Sequence, residues 1–345
     1  MLAECERRLA GQVSPEFLRS QIEVQTRPHR AVGEARTDLA RLRRTIAEEA
    51  ARHGLAPIAA ATHPFADWSG QKATDRARYR ALESDLQGVG RRLMICGLHV
   101  HVGIEDEELA IDLMNQVGYF LPHLLALSTS SPFWRGEDTG LKSYRLAVFN
   151  ELPRTGIPDH FESAGEYRRH LARLVAAGLI EDASKLWWDV RPSARFPTLE
   201  MRVTDIPTRL DDTIAIAALF QCILSMLWRL RAENQRWRVY PRMLLGENRW
   251  RAQRHGFDEG LVDFGKGRIV SFAGLLDELI VLTAPDAKRL RCEAEIASTR
   301  EILKRGTSAH RQLAVFRDAL AAGATRPDAL NAVVDWIAAE TVAGL

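Results

Sequence analysis

The sequence predicts an α+β fold in which helices surround a mixed or mainly antiparallel sheet. Apolar residues recur at helical spacing over much of the 345-residue chain, and only short runs are rich in β-branched residues. The early strand-like runs alternate with helices, whereas two later ones, 185–191 and 197–203, flank a short turn around Pro192 and indicate a hairpin. A hairpin combined with alternating elements favours a mixed or antiparallel sheet over a purely parallel one.

The first half of the chain alternates predicted helices and strands. Apolar residues from Leu39 to Ala50 lie on one helical face, and Gly54 is a typical helix terminator. A run of acids at residues 105–108 suits the positive end of a helix dipole. In chain order the sequence predicts a helix over 31–53, a buried strand over 55–61, a helix around 79–89, a strand over 93–104 and a helix from 105 to about 127.

The second half begins with an irregular loop over residues 128–140, which contains Pro132 and Gly136. A helix over 163–177 precedes the hairpin, and a strongly apolar helix over 211–233 follows it. The remaining chain is predicted to be mostly helical, with breaks near residues 256–267, Pro285, Gly306 and Pro327.

The composition gives no case for a nucleic acid or membrane partner. Forty-seven basic and forty-five acidic residues leave a net charge of +2. The longest apolar run, 214–230, is interrupted by Gln221 and Ser225, which favours a buried core helix over a membrane span. Residues 1–8 are charged and do not resemble a signal peptide, so we expect a cytoplasmic protein. No CxxC pair is present, and we expect buried, reduced thiols at Cys5, Cys96, Cys222 and Cys292.

Two histidines in the segment 97–103 (GLHVHVG) are the first candidates for a functional site. Alternate side chains of a strand share a face, so His99 and His101 should point the same way. Two imidazoles beside glycines that allow close approach indicate a ligand or metal site, although a polar surface edge would give the same pattern.

Glu200 and Arg202 also alternate along a predicted strand and therefore share a face. They could form a plain ion pair, or they could join a metal-ligating carboxylate to an arginine that binds carboxylate or phosphate. Glu23 lies in a short strand-like run, where it either faces water or projects into a site. Neither a P-loop nor a GxGxxG fingerprint is present.

Six segments, taken together and in order, resemble the carboxylate–amine ligases of the YbdK-type branch of the glutamate–cysteine ligase superfamily. Any one of them is a weak signal, but six in the family order span most of the chain. They are residues 20–26 (SQIEVQT), 62–65 (THPF), 97–103 (GLHVHVG), 127–138 (LSTSSPFWRGED), 188–205 (WDVRPSARFPTLEMRVTD) and 248–256 (NRWRAQRHG).

The resemblance implies a single ligase domain with a glutamine-synthetase-like core, built on a curved, mainly antiparallel sheet. It implies ATP as cofactor with Mg²⁺, or Mn²⁺ in its place, and amino acid substrates such as glutamate and cysteine, joined through an acyl phosphate. The apolar helices could also support a homodimer. By position in the matching motifs, the resemblance implies metal ligands Glu23, Glu200 and His99, nucleotide contacts from His99, His101, Arg191 and Arg254, and catalytic roles for Arg202 and Glu200.

One departure from the family pattern bears on activity. Family members begin with a strand that carries a G-x-E-x-E motif, and no such motif precedes Glu23 in this sequence. Without it we expect the metal to be poorly held and turnover to be weak. This departure keeps open a pseudoenzyme that binds nucleotide or a partner protein. A separate alternative is a zinc hydrolase, because His99, His101 and Glu200 would supply three ligands and leave an open position.

Overall fold

The computed structural model describes the backbone of residues 1–345 and every side chain other than that of residue 78. The helices are α1 Leu2–Arg8, α2 Val32–Ala51, α3 Ala77–Arg91, α4 Glu107–Val117, α5 Leu121–Ser128, α6 Tyr144–Phe149, α7 Ala164–Ala176, α8 Leu210–Ala232, α9 Arg242–His255, α10 Phe272–Leu290, α11 Glu293–Arg305, α12 Ser308–Ala321 and α13 Arg326–Val342. The strands are β1 Val13–Pro15, β2 Ile22–Val24, β3 Val100–Gly103, β4 Phe133–Trp134, β5 Glu137–Asp138, β6 Thr155–Gly156, β7 Trp187–Trp188, β8 Val190–Pro192, β9 Thr198–Met201, β10 Leu261–Asp263 and β11 Arg268–Val270.

The central sheet has three antiparallel strands in the order β3-β9-β8. Its strands alternate between an apolar row and a polar row, because successive side chains point to opposite faces. Val190, Leu199 and Met201 are fully buried in the core, and α4 packs against β8 and β9. The smaller pairs β1-β2, β4-β5 and β10-β11 are antiparallel, and only β6-β7 is parallel. The predicted α+β fold with a mainly antiparallel sheet is confirmed.

Helix α8 is the centre of the helical layer. Its length and a mean hydropathy of 1.7 would suit a membrane span, but 67% of its most apolar window is buried inside the fold. Helices α2, α4, α5, α10 and α11 all contact it. The prediction of a buried core helix from the apolar run in the sequence is therefore confirmed.

The predicted strand over residues 55–61 is wrong, because side chains rather than a neighbouring strand satisfy the backbone there. The N–H of Ala59 donates to Thr341 Oγ1 and that of Ala61 donates to Ser130 Oγ. A single bridge, between Thr62 and Ile95, joins this extended segment to the next one. The predicted strand over 93–104 is correspondingly short, since regular pairing begins only at Val100.

Two further boundaries differ from the prediction, and one predicted break is present. The helix expected from 105 to about 127 is divided into α4 and α5, and Pro122 lies in the first turn of α5, where its missing N–H costs little. Pro285 lies inside α10 instead of ending it. The carbonyl that loses its partner there is that of Val281, whose residue is 71% exposed, so water can satisfy it. The break near 256–267 contains the hairpin β10-β11.

His123 on α5 is a buried titratable side chain within an aromatic cluster. It is 4% exposed, and its ring lies 5.5 Å from that of Tyr119 and 6.2 Å from that of Phe272. Its Nδ1 atom has no hydrogen-bond partner among the described atoms. Burial lowers its pKa to about 4, and the nearby Tyr119 backbone only partly opposes this effect.

We predict that His123 makes the fold acid-sensitive. His123 binds a proton near pH 6.5 in the unfolded chain but only near pH 4 in the folded chain. The free energy of unfolding therefore falls as the pH drops through this window. Replacement of His123 by Phe should remove up to about 3 kcal/mol of the pH dependence between pH 7 and pH 4. Urea unfolding at several pH values measures this, with exposed His53→Phe as the matched control. Equal pH slopes for wild type and His123→Phe would contradict the prediction.

Candidate functional site

A row of three polar residues crosses the central sheet. The register places His101 of β3 opposite Glu200 of β9, and Arg191 of β8 lies opposite Glu200 on its other side. His99 and Arg202 lie two residues from His101 and Glu200 along the chain, and their side chains reach the same carboxylate region. The structure therefore brings together five of the predicted site residues.

Glu200 is the centre of this group, and its side chain is only 4% exposed. Arg191 Nε donates to its Oε2 at 2.9 Å, and Arg202 Nη1 donates to its Oε1. His99 Nδ1 and His101 Nε2 lie 3.8 and 3.9 Å from the same Oε1 atom. Burial alone would raise the pKa of Glu200, but the positive charges of Arg202 and Arg191 and the hydrogen bond from Arg191 outweigh burial and lower this pKa to about 2. Glu200 is therefore an anion throughout the physiological pH range.

The two arginines differ in how they are held. Arg191 Nη1 also donates to the carbonyls of Ser184 at 2.9 Å and Leu186 at 2.6 Å, so its guanidinium is fixed by the protein on several sides. Arg202 Nη1 reaches Glu200 and lies 3.4 Å from His99 Nδ1. Its buried Nε has no partner among the described atoms. Burial lowers the pKa of Arg202 to about 10, which leaves a cation with an unused N–H donor.

The two histidines form a partly open wall. Their side chains are 35% and 37% exposed, and His101 Nδ1 lies 2.8 Å from Thr198 Oγ1. Desolvation by the surrounding protein lowers the pKa of both imidazoles, that of His99 well below its ordinary value. Both rings are therefore neutral at pH 7, and each can offer one lone pair or one N–H to a bound group.

A second group, which the sequence did not reveal as a unit, holds the backbone of Arg202. Arg145 donates from Nη2 to the Arg202 carbonyl at 2.9 Å and from Nη1 to the Val203 carbonyl at 3.1 Å. On the other side of the same residue, the Arg202 N–H donates to the carbonyl of Asp189 at 2.7 Å. The N–H and the carbonyl of Arg202 are thus both bonded, and its side chain starts from a fixed position.

Arg145 and Asp189 are each held by a further ion pair. Arg249 forms a bidentate ion pair with Asp189, at 2.6 and 3.0 Å. Asp205, fully buried 3.6 Å from Arg145, accepts from the Ser130 N–H and from two further hydroxyls, those of Ser131 and Ser143. Nothing in the sequence spacing of Arg145 and Asp189 indicates these partners.

Two predicted site residues lie outside the group. Glu23 is on β2, in the separate hairpin with β1, and its Oε2 accepts from Ser14 Oγ at 3.1 Å. Gln21, just before β2 in this hairpin, donates from Nε2 to the Ile95 carbonyl at 2.9 Å, so the hairpin packs beside the segment that leads into β3. Arg254 donates to the carbonyl of Gly140, and no bond between described side chains connects it to Glu200. Its nucleotide role stays a prediction that these contacts do not support.

The protein alone does not supply a complete set of metal ligands among its described residues. No three His, Cys, Asp or Glu side chains among the described residues are grouped closely enough to hold a metal ion by themselves. Magnesium commonly uses only one or two protein carboxylates and takes its other ligands from water and phosphate. Of the predicted site residues, Glu200 and Glu23 are the two that carry a carboxylate of this kind.

Comparison with known proteins gives a family match over almost the whole chain. The model of glutamate–cysteine ligase family 2 (GCS2) matches residues 1–333. The chain belongs to this family. A "Putative glutamate--cysteine ligase 2" from Rhodospirillum rubrum is 63% identical over 97% of this chain and 86% of its own length. A protein of the same name from Jannaschia sp. is 53% identical over 98% of this chain and 89% of its own length. The predicted YbdK-type resemblance is confirmed.

Solved structures of two ligases share the fold of this glutamate–cysteine ligase family 2 chain. Glutamate–cysteine ligase from Francisella tularensis, in complex with AMP, matches with a TM-score of 0.67 and 12% identity, over 96% of this chain and 82% of that one. A bifunctional glutathione synthetase from Pasteurella multocida matches with a TM-score of 0.63 and 16% identity, over 97% of this chain and 49% of that one. At this identity the likeness establishes the fold.

The structure explains the glycine at position 97 by the packing of a protein side chain and not by the approach of a ligand. The sequence indicated a glycine that lets a ligand approach, but the space beside Gly97 is filled by the Arg145 guanidinium. A Cβ atom at this position would lie 2.9 Å from both Cζ and Nε of Arg145. Gly103, at the other end of the same motif, has nothing within 4 Å of an added Cβ.

We predict that Gly97→Ala displaces Arg145 and destabilises the fold by about 1–3 kcal/mol, because the buried guanidinium has nowhere to move without losing its bonds. Gly103→Ala should change the free energy of unfolding by less than about 0.5 kcal/mol. Urea unfolding of both variants beside wild type provides the measurement. Equal stabilities of the two variants would show that Arg145 is not fixed as described.

Proposed function

We propose that the group around Glu200 activates a substrate carboxylate with ATP and joins it to an amine. The observation that carries this proposal is the buried Arg202 Nε, which has no hydrogen-bond partner among the described atoms. A buried donor without a partner is costly, and a carboxylate or phosphate oxygen would satisfy it. The family itself and the relatives' name, glutamate–cysteine ligase, support glutamate as the acid and cysteine as the amine.

The reaction divides into two balanced steps. A carboxylate oxygen of the acid attacks the γ-phosphorus of ATP, the bond to the bridging oxygen breaks, and ADP leaves with that electron pair. The amine nitrogen then attacks the carbonyl carbon of the acyl phosphate, inorganic phosphate leaves, and the nitrogen loses a proton. Phosphoryl transfer of this kind depends mainly on positioning and on stabilisation of charge.

Each residue of the group contributes to those two requirements. Arg202 binds the substrate carboxylate or the transferred phosphoryl group through its unused donors. Arg191 orients Glu200 and keeps it ionised, since its guanidinium is anchored on main-chain carbonyls. His99 and His101, neutral because of their lowered pKa, flank the carboxylate without adding positive charge at neutral pH. Arg145 and Asp189 are positioning residues, because they act through the backbone of Arg202.

A divalent cation fits this donor set when it comes with the nucleotide. Glu200, and Glu23 on the neighbouring hairpin, would hold Mg²⁺ or Mn²⁺. Oε2 of Glu200 accepts only from Arg191 Nε and keeps a lone pair, whereas Oε1 accepts from both Arg202 Nη1 and Arg191 Nη2. Such an ion supplies neutralisation of phosphate charge when it is bound. ATP affinity should accordingly be lower in the presence of EDTA, because the carboxylates alone repel the triphosphate.

We predict that Arg202→Lys and Glu200→Gln each lower kcat for ATP-dependent γ-glutamylcysteine formation by at least about a hundredfold. Lysine keeps the charge of Arg202 but loses the Nε donor and the planar fork, while glutamine removes the charge that Arg191 and Arg202 neutralise. Product is measured by mass spectrometry beside ADP release.

Two exposed residues without a described ion pair provide matched controls, Arg317→Lys and Glu233→Gln, which should retain wild-type turnover. Wild-type rates in both site variants would contradict the assignment. Nucleotide binding by the wild type without turnover would instead favour the pseudoenzyme. Bound zinc with hydrolysis that is independent of ATP would favour the zinc hydrolase.

A further inference from the structure

A cavity of about 280 Å³ lies where the start of α8, the junction of α11 and α12, and the end of α13 meet. None of the residues grouped around Glu200 lines it. Its wall combines three arginines, two carboxylates and one indole ring. These are Arg209, Arg305 and Arg311, Asp212 and Glu340, and Trp336.

The charges of this wall do not balance. Arg305 Nη2 donates to both oxygens of Asp212, at 2.7 and 2.6 Å, and Arg209 Nη1 donates to Glu340 at 2.8 Å. Arg311 is exposed and forms no ion pair with any described side chain. Three guanidinium groups therefore face two carboxylates, and one positive charge is left for a ligand.

The hydrogen-bond donors of the wall are also in excess. A guanidinium carries five N–H donors, and the side-chain contacts described above use a single nitrogen in each of Arg209 and Arg305. The remaining donors are available to the cavity or to water. Helix α12 begins at Ser308 on the same wall, so the positive end of its dipole adds to the field. Trp336 supplies a flat apolar surface beside these donors.

We propose that this cavity binds a small organic oxyanion, with its carboxylate or phosphate group on Arg311 and its carbon part against Trp336. The planar fork of arginine matches both groups in geometry, and the volume admits a molecule of roughly amino acid size. The single excess positive charge favours a ligand with one negative charge. This site is independent of the Glu200 group and of the reaction proposed for it.

Isothermal titration calorimetry of the 345-residue protein with benzoate and, separately, with inorganic phosphate tests the proposal. We expect a dissociation constant below about 10 mM for at least one of the two, which is the range of a weak small-anion site. Tighter binding of benzoate assigns the site to a carboxylate ligand, and tighter binding of phosphate assigns it to a phosphorylated one. Because Trp336 lines the cavity, binding should also change the intrinsic fluorescence of the protein, and Trp336→Phe should remove this change.

Arg311→Ala should weaken the binding by at least about tenfold, since it removes the charge that has no other partner. Arg317→Ala, on the same helix but outside the cavity, should bind as wild type does. Arg202→Lys should retain the binding that Arg311→Ala loses, which separates this site from the proposed active site. Equal binding by wild type and Arg311→Ala, loss of binding in Arg202→Lys, or no binding to wild type would each overturn the proposal.

Discussion

The ion pairs that join Glu200 to Arg191 and Arg202 are the constraint on which the rest of the site depends. A carboxylate that is 4% exposed keeps its charge only if cations and hydrogen bonds replace the water it has lost. The register of three strands supplies Arg191 directly across from it, and the alternation of β9 supplies Arg202 two residues away. The same geometry that neutralises Glu200 leaves Arg202 with an unused donor, which is why a structural ion pair can also receive an anion.

Such a site must be held rigidly, because a displacement of 1 Å can cost about a hundredfold in rate. The Arg145 guanidinium and the Asp189 carbonyl bind the carbonyl and the N–H of Arg202, and the side chains of Arg145 and Asp189 pair in turn with Asp205 and Arg249. Buried ion pairs contribute little net stability, but separating the partners is costly because it leaves an uncompensated buried charge. We therefore interpret this layer as the element that fixes the direction of the Arg202 side chain.

The alternation of side chains along a strand was sufficient to predict the group of residues around Glu200. The period of a strand placed His99 with His101, and Glu200 with Arg202, on common faces. The turn predicted around Pro192 indicated the hairpin that aligns Arg191 with Glu200, although Pro192 itself ends β8 and the turn spans 193–197. The supporting layer was not predicted, because Asp189 and Arg249 are 60 residues apart and meet only through tertiary packing. The error at residues 55–61 also comes from tertiary packing. The side chains of Thr341 and Ser130 bind the backbone there, where a neighbouring strand was expected. The order of the six family segments predicted the family where spacing alone left alternatives open.

The central claim is that this site transfers the γ-phosphoryl group of ATP to a carboxylate, and positional isotope exchange tests it most directly. ATP labelled with ¹⁸O at the β–γ bridge is incubated with glutamate and the protein, without the amine. If an acyl phosphate forms reversibly, rotation of the β-phosphate of bound ADP moves the label into the non-bridging positions. We expect exchange that requires glutamate in the wild type and is absent in Arg202→Lys. The absence of exchange in a wild-type protein that still forms the amide with ATP, or equal exchange in Arg202→Lys, would contradict this account.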